Sequence, residues 1–314
     1  MTTQPRPCVS VAIANWNTRD LLRACLGSLL GRTHGVRLEV IVVDNGSDDG
    51  SPQMVRAQWP EVTLIENADN EGFARATNQA LRRASGEFLF LLNSDAEVRA
   101  GCVERLVEVA SSDERIGAVG PKLLNTDGTR QASTGPFPRV IHRLLPSMFE
   151  RRYDTGLQAR LAASPDRTAQ VDWICGAALL FRRDVLETVG FLDERFFVWY
   201  EDLDWCQRLR RAGYRCVYVA GAEVVHHRRK SAGRIRSRDL AQQLFDSEYT
   251  YLRLYGGRIG VASVFALRVA KALVRRALGS EQARSDAAFR LSYHLQHFRR
   301  FCLARWNSTP VWGG

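Results

Sequence analysis

VSVAIAN (9–15), EVIVVDN (39–45), TLIEN (63–67) and EFLFLLNSD (87–95) are apolar runs that each close on polar residues. They are continuous rather than alternating, as strands are when a sheet is covered on both faces. Helix-length segments separate them. TRDLLRACLGSLL places Leu22, Cys25, Leu26 and Leu29 on one helical face, with Asn17 or Thr18 as its cap. FARATNQALRRAS (73–85) and GCVERLVEVAS (101–111) read as two more helices. Strands alternating with helices at this spacing predict an α/β fold, with a mostly parallel sheet flanked by helices. Ligands of such sheets sit beyond the carboxyl ends of the strands. Asn15, Trp16, Asn17, Asp44, Asn45 and Asp95 all fall at such ends.

The remainder is organised differently. The stretch 126–168 has weak periodicity and reads as a long active-site loop with short helices. VDWICGAALLF (171–181) returns to strand, RRDVLETVG is a short helix, and EDLDWCQRLRRAG (201–213) is a helix stopped by Gly213. CVYVAGAEVVHH (216–227) is the last strand region, and 237–306 is mostly helical. Seven scattered cysteines show neither zinc-knuckle nor redox spacing, which suits a reducing compartment. The N-terminus lacks a signal-peptide pattern, and no run of about 20 apolar residues suggests a membrane span.

Several clusters carry chemistry, each with a plainer competing explanation. Asn93-Ser94-Asp95 is common turn chemistry, yet a carboxylate at a sheet rim also reaches a divalent cation held by a diphosphate. Asp44, Asn45 and the following GSDDGS suit a base and ribose, or a helix-capping turn; the terminal Glu of a calcium loop is missing. Asn70, Gly72, Phe73 and Asn78 open a helix whose free N–H groups can face a polar ligand or be simply capped. DERFFVWYED (193–202) sets aromatic rings, Trp199 among them, beside Glu201 and Asp202. Rings stack on sugars and bases, and a carboxylate at a helix N-terminus is held ionised, ready to take a proton. Packing and helix-start preference explain the same residues equally well. His226 and His227 end the last strand, where imidazole completes a metal site, grips a phosphate or is structural.

Taken in order, VSVAIANWNTRDLLRACLGSL, VIVVDNGSDDGS, NEGFARATNQAL, FLFLLNSDAEV, GAVGPKLLNTDGTRQAS, the segment from VDWICGAALLF to RRAGYR, and VVHHRRKS resemble the inverting family 2 glycosyltransferases of GT-A fold, in their bacterial rhamnosyltransferase-like branch. The resemblance spans roughly residues 9–231. It implies a GT-A domain over 1–236, with a nucleotide-sugar half (about 1–125) and an acceptor half (about 126–236), followed by a helical basic extension over 237–314. It implies that Asp44 contacts the base, with Asn15 and Asn17 beside the same nucleotide. Asn93-Ser94-Asp95 matches the DXD-type motif, with Asn93 in the place of its first acid and Asp95 as ligand to Mg2+ or Mn2+. Asp202 of the Glu201–Asp202 pair matches the catalytic base, Trp173 and Gly176 fall on the acceptor side, and His226 or His227 matches a late metal- or diphosphate-contacting position. The implied reaction moves a sugar, rhamnose from dTDP-rhamnose or a hexose or N-acetylhexosamine from a UDP-sugar, to a glycan or polyprenyl-diphosphate-linked acceptor.

Charge adds a positional signal. The net +10 is concentrated at the end: from Arg228 onward there are 17 Lys and Arg against 5 Asp and Glu. RIGVASVFALRVAKALVRRALGS (258–280) can lay Val261, Val264, Phe265, Val269, Leu273 and Ala277 on one face, with Arg268, Lys271, Arg275 and Arg276 at its edges. That pattern suits a helix lying on a membrane surface, or one packed on the catalytic domain. The expectation is a cytoplasmic enzyme, peripheral at the inner face of the cell membrane. No nucleic-acid motif is present. A nucleotidyltransferase would want a Gly-rich basic loop where ANWNTRD stands, and a non-catalytic partner subunit would not need both Asp95 and Asp202.

Overall fold

A computed structural model describes residues 6–138, 167–227, 237–298 and 300–301. Among them, the residues up to Phe137 and those from 167 to 227 form one compact unit, and those from Ser237 form another.

The first unit is built on one large sheet. Its strands are β1 (Cys8–Asn15), β2 (Arg37–Asp44), β3 (Thr63–Glu66), β4 (Phe88–Leu92), β5 (Ala96–Val98), β6 (Ile116–Leu124), β8 (Ala169–Val171), β10 (Ala178–Arg182) and β11 (Arg215–His226). They run in the order β3-β2-β1-β4-β10-β6-β11-β5, with β8 also on β11. A two-residue β7 (Thr134–Gly135) pairs with β9 (Trp173–Ile174) in a separate small sheet. The block β3-β2-β1-β4 is parallel, as the continuous apolar runs imply. Beyond it the sheet is mixed: β10 runs antiparallel to β4 and β6, while β11 is parallel to β6.

Side chains alternate between the faces with period two. Val9, Val11, Ile13, Phe88, Phe90 and Leu92 point to one side. There they meet α1 (Arg19–Arg32), α2 (Ser51–Gln58) and α4 (Cys102–Ser111) through Leu22, Leu26, Met54, Val103 and Leu106. Ala12, Ile41, Val43, Leu89 and Leu91 point to the other. That face is covered by α3 (Phe73–Arg83) and α6 (Glu201–Arg211), through Ala76, Ala80, Leu81, Trp205 and Leu209, and by the short α5 (Val185–Val189). The two covers give every central strand a dry environment on both sides.

Two local readings are corrected, and one strand is added. The run 171–181 is not one strand. It is broken into β8, β9 and β10, each with a different partner, and Cys175-Gly176 forms the turn before β10. IGAVGPKLL, to which the sequence reading assigns no element, is the nine-residue strand β6. Thr18 stands at the start of α1 but makes no capping bond; Asp49 accepts the Arg19 N–H instead, at 2.8 Å. Most of the loop expected over 126–168, and the basic run 228–236, lie outside the described residues.

The second unit contains α7 (Ser237–Leu278), kinked at Gly257, where φ is +65°, and α8 (Glu281–Phe298). Its core is Phe245, Tyr249, Leu252, Val261, Val264 and Tyr293. Buried His294 donates to or accepts from the Tyr249 hydroxyl at 3.2 Å, and Arg268 pairs with buried Glu248. No described helix is long and apolar enough to cross a membrane.

Candidate active site

Parallel pairing of β1 with β2 sets Asn15 directly beside Asp44 at the carboxyl ends of both strands. Asn15 Nδ2 donates to Asp44 Oδ2 at 2.7 Å, and the Ser47 N–H donates to Asp44 Oδ1 at 2.8 Å. Asp44 is buried, and each oxygen keeps a lone pair for a further donor. Ser47 Oγ accepts the Asn17 N–H at 2.8 Å, and Asn17 Oδ1 accepts the Asp48 N–H at 2.9 Å. The two strand-end turns are thus sewn together. Thr18 extends the network: its hydroxyl bonds Asn15 Oδ1 at 2.7 Å and meets Ser94 Oγ at 2.9 Å. A buried chain therefore runs from Asp44 to the Asn93-Ser94-Asp95 motif.

Asp95 follows β4, and His226 ends β11. His226 Nε2 lies 3.2 Å from Asp95 Oδ1 and 3.3 Å from Asn93 Nδ2. His227 turns away to Glu97, at 2.7 Å, so of the two histidines only His226 faces Asp95. The proton on His226 can be placed from its neighbours. Gln131 Nε2 donates to the His226 backbone carbonyl at 3.2 Å and to Asn125 Oδ1 at 2.9 Å. A carbonyl only accepts, so the amide nitrogen lies on that side and Gln131 Oε1 faces His226 Nδ1, at 2.6 Å. Nδ1 therefore carries a hydrogen, and in the neutral ring Nε2 would present its lone pair to a carboxylate oxygen. Two buried acceptors facing each other require a proton or a cation between them.

The donor set fits a divalent metal. Adjacent ligands of an octahedral ion with bonds of about 2.1 Å are about 3 Å apart, close to the observed spacing. Asn93 Oδ1 is buried without a hydrogen-bond partner. No cluster of three or more His, Cys, Asp or Glu able to hold a metal occurs among the described residues. Asp95 and His226 would be the protein's share, leaving positions for phosphate oxygens and water, as Mg2+ and Mn2+ favour.

The third element is the start of α6. Gly176, in the turn before β10, donates its N–H to Asp202 Oδ2 at 2.9 Å, and the Leu203 N–H holds Oδ1 at 2.8 Å. Gly176 also stands against Phe73: a Cβ there would lie 3.4 Å from Asp202 Cβ and 3.8 Å from the Phe73 ring. The opening of α3 and the opening of α6 thus meet at Gly176. Burial pushes the Asp202 carboxyl above the usual carboxylate range, even against its N–H donors. Burial and the neighbouring Asp202 charge push Glu201 further up, and Glu201 Oε2 is buried without a partner. In both groups desolvation outweighs the helix dipole in setting the direction of the shift.

Non-glycine residues with positive φ among the described residues are Asn17 (+52°), Trp199 (+65°) and Tyr200 (+72°). All three sit in this region, and backbone strain of that kind collects at functional sites. The Trp199–Tyr200 turn is held by its flanks. Trp205 Nε1 donates to the Gly190 carbonyl at 2.8 Å, and an Arg208 nitrogen to the Phe191 carbonyl at 2.8 Å.

Other expected site residues have different employment. Asn78 spends its whole amide on this loop, donating to Leu192 O and Glu194 and accepting the Leu192 N–H. It is a buried clip, not a surface for ligand. The Phe73 N–H is not free either; Phe197 O accepts it at 2.7 Å. Asn45 Nδ2 reaches Asn70 Oδ1 and Gly72 O, and its Oδ1 accepts from Asn67, so Asn45 and Asn70 shape the β2 turn. Trp173 Nε1 donates to Pro136 O at 3.3 Å, fixing the ring on the small β7–β9 sheet. Gln131 is the participant that sequence reasoning misses, and Thr18 reads there only as a helix cap; each is a common polar residue outside any periodic pattern, and only its partners distinguish it.

The strand ends thus gather a polar turn network, an acid–imidazole pair spaced for a metal and a buried carboxylate, a set suited to group transfer. The chain matches the family model described as "Glycosyl transferase family 2" over residues 10–190. It is 33% identical over 230 residues to an N-acetylglucosaminyl-diphospho-decaprenol L-rhamnosyltransferase of Mycobacterium tuberculosis, covering 68% of this chain and 74% of that one. A low-salt glycan biosynthesis hexosyltransferase of Haloferax volcanii is 24% identical, over 70% of this chain and 67% of its own. Among solved structures, a mannosyltransferase of Pyrobaculum calidifontis in complex with GDP-Man and Mn2+ has a TM-score of 0.55 at 21% identity, covering 94% of this chain and 87% of that one. GalNAc-T7 with UDP, GalNAc and Mn2+ also reaches 0.55, at 18% identity, covering 71% and 44%. The chain belongs to glycosyl transferase family 2, in its rhamnosyltransferase-like branch, and is a glycosyltransferase of GT-A fold.

Proposed function

We propose that this enzyme transfers rhamnose from dTDP-rhamnose, with inversion, to a hydroxyl of a polyprenyl-diphosphate-linked glycan at the inner face of the cell membrane. The observation that carries the chemistry is Asp202, held by the Gly176 N–H where the two halves of the site meet. The donor sugar and the lipid-linked acceptor rest on the activity of the mycobacterial relative. A UDP-hexose or UDP-N-acetylhexosamine donor is the second reading.

In this account Asp44, Asn15 and Asn17 take the base and ribose end of the donor. Asn93, Asp95 and His226 lie at the diphosphate. They would hold a divalent ion, which would supply charge to offset the negative charge that the departing diphosphate gains. Asp202 accepts the proton of the attacking acceptor hydroxyl. Because its carboxyl is raised by burial, it is a stronger base than a solvated aspartate. Burial and the Asp202 charge both favour the protonated form of Glu201, which limits the charge the pocket must carry. The attacking oxygen displaces the diphosphate in one step on the opposite face of an oxocarbenium-like centre, so no covalent nucleophile is needed. Trp199 and Trp173 line the acceptor side.

The test is transfer to a synthetic polyprenyl-diphosphate N-acetylglucosamine, with dTDP-rhamnose and UDP-sugars compared and the product anomer read by NMR. Rhamnosylated product with inverted configuration supports the reading. Transfer from a UDP-sugar alone moves the assignment to the second donor, and a retained anomer overturns the mechanism.

A further inference from the structure

The second unit carries an apolar stripe whose position differs from the one its sequence suggested. Val261 and Val264 face inward, into the core with Phe245, Tyr249 and Tyr293. Arg268 is also turned inward, paired with Glu248 and 5.0 Å above the Phe245 and Tyr249 rings. The opposite face of the same helix is exposed and apolar. Ile259 is 84% exposed, Leu273 51%, Val274 57% and Leu278 83%, and Ala266, Ala270 and Ala277 lie exposed between them. The spacing 259, 266, 270, 273, 274, 277, 278 keeps them on one side at about 3.6 residues per turn. From Ile259 to Leu278 the stripe is about 28 Å long.

Charge frames it. At about 100° per residue, exposed Arg258 and Arg276 fall on one flank and exposed Lys271 on the other, with exposed Arg275 further round, toward the inward face. No acidic residue occurs between Glu248 and Glu281. A second copy of this chain would bring the same cationic flanks against its own, which opposes self-association. An anionic surface satisfies both features at once: acyl chains for the stripe and headgroup phosphates for the flanks.

We propose that the α7 segment after the Gly257 kink lies in the plane of an anionic bilayer, with Ile259, Leu273, Val274 and Leu278 inserted and Arg258, Lys271 and Arg276 at the headgroups. This deepens the membrane-surface reading above and rests on it for its setting. It replaces the face containing Val261 and Val264, which is already used by the protein's own core.

The test is co-sedimentation of the full chain with vesicles of phosphatidylcholine containing about a third phosphatidylglycerol, and with phosphatidylcholine alone. Wild type is expected to bind the anionic vesicles, and more weakly as salt is raised. Combined Leu273→Ser, Val274→Ser and Leu278→Ser should weaken binding at least about tenfold. Lys271→Gln and Arg276→Gln should weaken it about fivefold per charge, and these exposed substitutions keep the test valid if the apolar variant fails to fold. Equal binding by all three proteins, or none by wild type, overturns the proposal. So does a wild-type dimer in sedimentation that the apolar variant abolishes, since a second copy then covers the stripe. Hydrolysis of the sugar nucleotide in solution is measured in parallel. If it persists while vesicles are ignored, the membrane face fails alone and the transferase reading stands.

Discussion

Gln131→Leu isolates the imidazole that faces Asp95. The substitution keeps comparable volume but removes the acceptor 2.6 Å from His226 Nδ1 and the donor to Asn125 Oδ1. Gln131 is only 4% exposed, so water does not readily replace either bond. Leaving one buried polar group unsatisfied costs about 1–3 kcal/mol, and here the Nδ1–H, the His226 carbonyl and Asn125 Oδ1 each lose a partner. The ring is then free to change tautomer and move its hydrogen to Nε2, where it satisfies Asp95 and no longer presents a lone pair. Loss of a partner that orients a ligating histidine weakens metal affinity by about 10–100-fold. The assay is Mn2+ titration by EPR in the presence of a nucleoside diphosphate, with the His226 tautomer read from imidazole 15N shifts. Weaker Mn2+ binding with a shift of the proton toward Nε2 is expected. Unchanged Mn2+ affinity alongside a lowered Tm would refute the reasoning, because Gln131 would then be packing alone.

Other consequences follow from the same geometry. Asp202→Asn should lower kcat by about 10²–10⁴-fold while leaving donor affinity near wild type, as removal of a general base does. Because burial raises the Asp202 carboxyl, the wild-type rate should fall with decreasing pH at values above the ordinary carboxylate range, as the base becomes protonated; a kcat–pH profile flat down to pH 4 contradicts this. Gly72→Ala places a Cβ 2.6 Å from the Phe197 carbonyl oxygen at a φ of +89°; chemical denaturation should show a loss of about 1–3 kcal/mol. In the helical unit, burial and nearby arginines lower His294 from 6.5 to about 4. The unfolded chain therefore binds the proton first, so stability is full above pH 6.5 and is lost as pH falls toward 4. Thermal melts across that window should show a decline that His294→Gln reduces.

The sequence made the parallel half of the sheet readable, because β1, β2 and β4 are dry on both faces and so are apolar without interruption. It made the strand-end polar residues readable for the same reason: a buried strand must end where polarity begins. The 171–181 run was misread because hydropathy does not encode pairing partners, and Asp172, Cys175 and Gly176 interrupt the strands without interrupting the pattern. Asn78 was assigned to a ligand because a polar residue near a helix start looks available; its three bonds to Leu192 and Glu194 come from a segment more than 110 residues away. Gln131 was invisible for the converse reason, since its importance lies wholly in facing His226, 95 residues on. The tail's amphipathicity was legible, but not its phase: a helix with two apolar faces does not reveal from sequence which one the fold consumes.

Binding of a nucleoside diphosphate through a metal at Asp95 is the central feature of the proposed function. Its most direct measurement is calorimetric titration of dTDP and of UDP into wild type and Asp95→Ala, each with and without Mn2+. The account predicts that Mn2+ strengthens binding of at least one nucleotide by tenfold or more in wild type, roughly 1.4 kcal/mol or more, and has no effect in Asp95→Ala. Binding that is equally tight with and without metal in wild type, or absent for both nucleotides, would contradict it.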